Sequence, residues 1–388
     1  MKNFFIKLLQ NILGALAKKM IKKFQPEIIG ITGSVGKSSA KEAVFAVFSA
    51  EFGNDVWSSR GNLNTELGLP LTILGFHKTP SAFAWLGVIF LSFWRVIFWT
   101  KYPKYLVLEY AADKSGDIKH LVSIAKPQVA IITKIAPVHT ENFGSIENIA
   151  SEKGFLAESV PSGGAVFLNK SDKFSNIIAK KVKAKIIYFR DKELESHKEI
   201  AKEVGKYFNI KESVIADSLL NFKLPPGRLS IFNGVNDSVI IDSTYNSSPE
   251  AAAKFLEYLG RYKKNARKVA MLGDMRELGA MSEKFHRQIT EKIIENADYA
   301  ILIGPEMQKW TKPILDQKHF PNQSFLTFSD AKAYILPALR KNDIILVKGS
   351  QNTLYLERIV ELLLKDKSDI KHLCRRGKKW DDIRDSVL

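Results

Sequence analysis

Acid is the scarce component of this chain. Its 388 residues include 41 Asp or Glu against 58 Lys or Arg, a formal charge of +17. Such a balance favours anionic partners: nucleotides, nucleotide-sugars, nucleic acid or acidic lipid. Cysteine is scarcer still. Cys374 is the only one, which excludes an intramolecular disulfide framework and fits a reducing compartment. No internal repeat or low-complexity tract occurs. The lysines are scattered and no base-reading module accompanies them, so nucleic acid is not an expected partner. Long apolar runs are also missing, with one exception at residues 82–99, an almost wholly apolar stretch that holds Trp85, Trp94 and Trp99 and whose only charge is Arg95. It is barely long enough to span a bilayer, and reads either as a buried helix or hydrophobic hairpin, or as an interfacial membrane helix.

Apolar mass is abundant. At 45% hydrophobic residues the chain can bury a large core, and its length implies two or three domains. The first 26 residues hold six lysines and no acid. Phe5, Leu8, Leu9, Ile12, Leu16 and Met20 recur there at roughly helical spacing, which predicts a basic amphipathic helix. From Glu27 onward short apolar runs alternate with helical patterns. The expected strands are 28–32, 105–110, 129–135 and 165–168, the signature of parallel β-α-β units. Leu224-Pro225-Pro226-Gly227 interrupts this rhythm. A second alternating set follows at 239–241, 269–272, 300–303 and 344–347, which places a domain boundary near Pro226.

The run Thr32-Gly33-Ser34-Val35-Gly36-Lys37-Ser38-Ser39 follows a β-branched strand and opens a helix. Backbone N–H groups converge on phosphate oxygens at such a junction. Gly33 and Gly36 permit the tight path, Lys37 supplies a point charge to the β- and γ-phosphates, and the Ser38 hydroxyl is placed to ligate Mg2+. The first glycine of the general phosphate-loop pattern is replaced by Ile31, so the match is to a shorter variant. Ala15-Leu16-Ala17 imitates a signal-peptidase site, but cleavage there would send a nucleotide-binding protein to a compartment poor in ATP. Glu109 ends one predicted strand and His139 follows the next, both on the sheet edge where ligands bind. Together they could share a metal beside the phosphate loop.

That shorter loop resembles the Mur ligase family, and further stretches in matching order extend the resemblance over residues 27–364. Gly61-Asn62-Leu63-Asn64 is similar to the family's asparagine-bearing loop, Glu109 to its metal-binding glutamate, and Val138-His139-Thr140 to its histidine stretch. The resemblance implies a carbamylated lysine at Lys153, on the predicted helix 147–159, as ligand to a second Mg2+, although Glu152 is a rival for the position. It also implies that Arg228, in Gly227-Arg228-Leu229, reaches ATP phosphates. Asp242-Ser243-Thr244-Tyr245-Asn246 resembles the ligase motif through Asp242, Tyr245 and Asn246. Gly273-Asp274-Met275-Arg276-Glu277-Leu278-Gly279, with His286, is similar to the members that add D-alanyl-D-alanine, and Lys348 to a closing motif. Asn62, Asn64, Asp274, Glu277 and Lys348 are the implied substrate contacts.

The expected fold is therefore α/β: a basic helix at 1–26, a P-loop ATPase central domain with a mostly parallel sheet at 27–225, a Rossmann-like C-terminal ligase domain at 226–364, and a charged tail at 365–388. The implied reaction is ATP-dependent amide-bond formation through an acyl phosphate, joining D-alanyl-D-alanine to a nucleotide-sugar peptide for peptidoglycan. ATP and Mg2+ are the cofactors and the cytoplasm the compartment, with peripheral attachment to an anionic membrane surface. Family members carry a further N-terminal domain that grips uridine, while 26 residues precede the first strand here, so a separate uridine-binding partner is expected. A folate- or cyanophycin-type carboxylate-amine ligase, and a non-catalytic ATP-binding membrane scaffold, are the alternatives.

Overall fold

Strands buried on both faces of a parallel sheet must be apolar throughout, and such runs form the centre of both halves of this protein. The computed structural model describes residues 2–61, 63–81, 84–138, 140–263, 265–350 and 354–385. It divides into two compact units, one of residues 1–136 and 142–223, the other of 137–141 and 224–388.

In the first unit β1 (Glu27–Thr32), β2 (Val56–Ser58), β3 (Tyr105–Glu109), β4 (Val129–Ile132), β5 (Ala165–Asn169) and β6 (Lys185–Phe189) form one sheet in the order β2-β3-β1-β4-β5-β6. Every pairing is parallel. The chain leaves β1 for α2 (Lys37–Phe52), and the strand order reverses beside β1, so the loop between them opens at a switch point where ligands collect. The helix Ile146–Glu158 packs under this edge, its first turn capped by Ser145, whose hydroxyl accepts from the amide of Asn148 at 3.2 Å.

Two sequence expectations change in this unit. The basic helix is α1 (Lys2–Phe24), but it is a core element and not a separate anchor. Leu9, Leu13, Leu16, Ala17 and Met20 are buried in the same apolar cluster as Ile28 and Leu106, leaving Phe5 and Leu8 exposed. Its apolar stripe is thus consumed by α3 (Gly68–Ile73) and α4 (Trp85–Phe98), which pack against it. The apolar stretch 82–99 is α4, and the buried-helix reading fails. Only Val88 and Ser92 of this helix are buried, because α1 and the apolar cluster cover one side of it and, among the described residues, nothing covers the other. Among the described residues no helix is long and apolar enough to cross a membrane.

The second unit holds β7 (Ser230–Asn233), β8 (Val239–Ser243), β9 (Lys268–Gly273), β10 (Tyr299–Ile303), β11 (Asn322–Phe325) and β12 (Ile344–Lys348), ordered β11-β10-β9-β12-β8-β7. All are parallel except β7, which runs antiparallel to β8. The segment expected to be a charged tail is folded into this unit. Leu373, Cys374, Arg375 and Arg384 are buried, because charged side chains there find Glu357, Glu361 and backbone carbonyls instead of water.

If α1 belongs to the core, Leu13→Ala should destabilise the protein by about 2–5 kcal/mol, the usual range for emptying a buried leucine site. A urea titration measures this directly. An unchanged midpoint would mean that α1 detaches freely.

Candidate active site

The phosphate loop is shaped by a close contact between neighbouring strands. Gly33 has φ 144°, and a Cβ on it would lie 2.0 Å from Thr133 Oγ1, so no other residue fits. Thr133 follows β4, and its hydroxyl donates to the carbonyl of Val35 at 2.7 Å. Ser34 is tied to the same strand end, its amide donating to Lys134 O at 2.6 Å and its hydroxyl to Ala136 O at 2.9 Å. Gly36 takes φ 86° immediately before α2, a conformation cheap only for glycine. Lys37 folds back over the loop, with its amine donating to Gly33 O at 2.8 Å. Thr32 lies under the loop, fully buried, and its hydroxyl donates to Tyr110 O at 2.7 Å. Ser38 and Ser39 occupy the first turn of α2 and are half-buried.

Glu109 stands opposite Ile31 in the β1–β3 register, one residue short of the strand end that feeds the loop. It is buried, with Oε1 accepting from Asn64 Nδ2 at 2.9 Å. Oε2 is buried without a hydrogen-bond partner. A carboxylate oxygen removed from water and left unpaired is costly, and a divalent cation would satisfy it. No three His, Cys, Asp or Glu side chains cluster among the described residues. The donor set is thus small, as suits Mg2+, which takes much of its coordination from phosphate and water. Asn64, expected at the substrate, donates to Glu109. His139 and Asn62 lie outside the described residues.

Lys153 sits in the helix Ile146–Glu158 and is buried. Burial first, and then the charge of Lys37, pulls its amine down to about 7 against the partial opposition of Glu152, Asp113 and Asp117. The rival Glu152 is already engaged, accepting from the amides of Gly116 at 2.8 Å and Ile118 at 2.7 Å. Lys41, one turn beyond Lys37, is a second buried lysine, which the sequence did not announce. It donates to Ser59 O, and Ser59 Oγ in turn accepts from the amide of Glu109 at 3.3 Å, so it fixes the ground on which Glu109 stands.

The second unit gathers its own cluster at the end of β8. Asp242 is fully buried, with Oδ1 accepting from the amide and hydroxyl of Thr244 at 3.0 and 2.7 Å. Burial raises its pKa and those hydrogen bonds oppose the rise. Gly227, at φ 72°, fits against Tyr245, whose amide donates to Gly227 O at 3.0 Å. That contact puts the Arg228 guanidinium 4.0 Å from the centre of the Tyr245 ring. Lys348 ends β12, buried, with its amine donating to Asn246 O at 2.9 Å and Ser243 Oγ at 3.2 Å.

Arg375 was missed by sequence reasoning. Its guanidinium donates to the carbonyls of Thr244 and Tyr245 at 3.0 and 3.1 Å and faces Glu357 at 3.5 Å. No local pattern marked it, since the clamp joins residues far apart in the chain. Neighbouring Cys374 has its thiol pushed up to about 12 by burial, which removes it as a nucleophile. Asp274 accepts from the amides of Glu306 at 3.2 Å and Met307 at 2.8 Å. His286 accepts from the amide of Met275 at 3.0 Å. These three bonds hold the 273–279 loop, whose exposed members are Arg276, Glu277 and Gly279, Glu277 at φ 62°.

A parallel sheet with a glycine-bound phosphate loop and an orphaned carboxylate at its switch point defines a nucleotide-binding α/β protein. The Mur ligase middle domain matches residues 31–233, and the Mur ligase glutamate ligase domain matches 227–351. The chain belongs to the Mur ligase family. It is 24% identical over 399 residues to the UDP-N-acetylmuramoyl-tripeptide–D-alanyl-D-alanine ligase of Haemophilus influenzae, covering 92% of this chain and 80% of that one. Among solved structures it is similar in fold to MurF from Acinetobacter baumannii, with a TM-score of 0.74, 21% identity, and coverage of 90% of this chain and 79% of that chain. MurF ligase from Thermotoga maritima in complex with ADP gives a TM-score of 0.73 at 24% identity, covering 91% and 83%.

Lys348 allows a test by pH. Burial, then Arg228, lowers its pKa to about 7, while Asp242 pulls the other way. Between that value and the ordinary lysine pKa the unfolded chain binds more protons than the folded one, so stability from this group rises with pH. Lys348→Met should flatten the rise in urea midpoint between pH 7 and about 10. An equal pH dependence in both proteins would show that the amine is not held neutral.

Proposed function

We propose that this protein is an ATP-dependent peptide ligase that adds D-alanyl-D-alanine to a UDP-MurNAc-tripeptide in peptidoglycan synthesis. The observation that carries the reading is the orphaned Glu109 oxygen beside a glycine-shaped phosphate loop, in a chain whose relatives bear that activity in their names. The tripeptide carboxylate attacks the γ-phosphate of ATP, giving an acyl phosphate and ADP. The amine of D-alanyl-D-alanine then attacks the acyl carbon, the C–N bond forms, and inorganic phosphate leaves. Lys37 and the loop amides orient the phosphates and meet the charge that develops on them. Arg228 offers a planar guanidinium suited to bidentate phosphate contact. Holding carboxylate, phosphate and amine together contributes on the order of 7 kcal/mol or more.

Glu109 Oε2 and the Ser38 hydroxyl are the groups that would hold Mg2+, which when bound neutralises phosphate oxygens. Lys153 suits a further role. With its amine near 7 a neutral fraction exists at physiological pH, and the nitrogen lone pair can add to CO2, releasing a proton and leaving a carbamate whose oxygens could serve a second Mg2+. Asp242, Tyr245 and Asn246 belong to the ATP contacts, and Glu277 and Lys348 to the acceptor side. ATP and a nucleotide-sugar substrate place the enzyme in the cytoplasm.

Phosphate release from ATP in the presence of UDP-MurNAc-tripeptide should depend on D-alanyl-D-alanine. Lys37→Ala should lower kcat on the order of 10²–10³-fold while leaving the thermal transition in place, because it removes charge from a loop and not packing from the core. Glu109→Gln should raise the Mg2+ concentration needed for half-maximal rate. Lys153→Ala should be severely impaired and partly restored by acetate. Phosphate release indifferent to the amine would refute the ligase reading, and full activity of Lys153→Ala would refute the carbamate.

A further inference from the structure

A helix that is apolar all round is normally enclosed, yet α4 is enclosed on one side only. Trp85, Val88, Ile89 and Val96 face the core cluster. The opposite side presents Leu86, Phe90, Phe93, Trp94 and Ile97, with Leu91 and Phe98 beside them, and Leu86 and Phe90 are 78% and 70% exposed. These positions recur at the helical spacing of one stripe, so they form a continuous apolar surface of the kind that marks an interaction site. The single charge of the helix is kept off that surface. Arg95 turns inward, its Nη1 donating to Leu74 O at 2.6 Å and its guanidinium stacking 4.3 Å from the ring centre of Phe76.

The two segments that carry these helices are rich in cations, with Glu27 and Glu66 at their borders. Segments 1–26 and 67–108, which contain α1 and α4, hold ten lysines and arginines and no acid. Lys23 reaches across from α1 and donates to the carbonyls of Val96, Ile97 and Trp99 at 2.9, 3.0 and 2.8 Å, fixing positive charge at the C-terminal end of α4. Lys18, Lys19 and Lys22 are exposed on the same helix. A second copy of this chain would bring like charge against like charge, which is costly across an interface. An anionic surface with an apolar interior matches both features.

We propose that α4 is a membrane-docking helix that lies in the plane of an anionic bilayer, with the outer stripe entering the headgroup and acyl boundary and the lysines of α1 paired to lipid phosphate. The length of α4 agrees: its 14 residues span about 21 Å, less than a hydrocarbon core, so the helix lies on the bilayer and does not cross it. Trp94 suits the boundary, where aromatic side chains with a polar edge concentrate. The division of labour between the helices also follows. α1 has its apolar face in the core and contributes charge, while α4 contributes insertion. This docking is independent of the ligase reading, because none of these residues belongs to the phosphate loop or the Asp242 cluster.

The test is flotation of the full-length protein with vesicles of phosphatidylglycerol and phosphatidylcholine, compared with phosphatidylcholine alone. Wild type should float with the anionic vesicles at low salt and progressively less as salt rises. Phe90→Ser combined with Ile97→Ser, both at the surface and so compatible with folding, should lower the partition coefficient on the order of tenfold or more at every salt concentration. Lys18→Gln, Lys19→Gln and Lys22→Gln together should remove the salt dependence while leaving weak residual binding. Circular dichroism and the thermal transition check that each variant folds. No flotation with anionic vesicles at low salt, or equal flotation of the α4 variant, would overturn the proposal. So would self-association, or capture of a uridine-nucleotide-binding protein, that disappears in the α4 variant in the absence of lipid, since either would give the stripe a protein occupant.

Discussion

The pinch between Gly33 and Thr133 is the constraint from which the first unit's chemistry follows. β1 and β4 are adjacent parallel strands, and at their ends the loop passes so close to the Thr133 hydroxyl that a single added carbon would collide with it. That hydroxyl then secures the Val35 carbonyl, and the loop has little freedom before α2 begins. A phosphate site organised before its ligand arrives loses less ordering entropy on binding. Glu109 depends on the same framework from the other side, since β3 is registered on β1 and its amide is held through Ser59 and Lys41.

Buried cations with few acidic partners are the second theme. Lys41, Lys153 and Lys348 are each almost inaccessible, and the latter two are driven toward neutrality by burial and by a neighbouring cation. Desolvation of this size destabilises a fold unless the group is satisfied or discharged. Lys348 is satisfied by Asn246 and Ser243. Perturbed lysines of this kind concentrate where chemistry is done, one in each unit, each beside a motif that the sequence had already singled out.

The central strands were legible because burial on both faces demands unbroken apolar runs, and β1, β3, β4, β5, β8, β9, β10 and β12 supply them. The strands that sequence reasoning passed over, β2, β6, β7 and β11, are the four edges of the two sheets. An edge strand is half-solvated and need not be apolar, as the Asn322-Gln323-Ser324-Phe325 of β11 illustrates. The phosphate loop was legible because its chemistry is local in sequence. Arg375 was not, because its partners at 244 and 245 are joined to it only by the fold, and Glu152 and Lys153 could be told apart only once the amides of Gly116 and Ile118 were seen to occupy the former. Amphipathicity found α1 but misjudged its apolar face: a stripe of Leu9, Leu13, Leu16 and Met20 reads the same whether it meets lipid or a neighbouring helix.

The Arg375 clamp gives this protein a temporal order. The Thr244 and Tyr245 carbonyls are bound by a side chain that comes about 130 residues later in the chain, after every strand of the second sheet. All the strands of the second sheet thus precede, in the chain, the residue that braces the Asp242 loop. The brace on that loop is therefore complete only once the segment carrying Arg375 has folded back onto it.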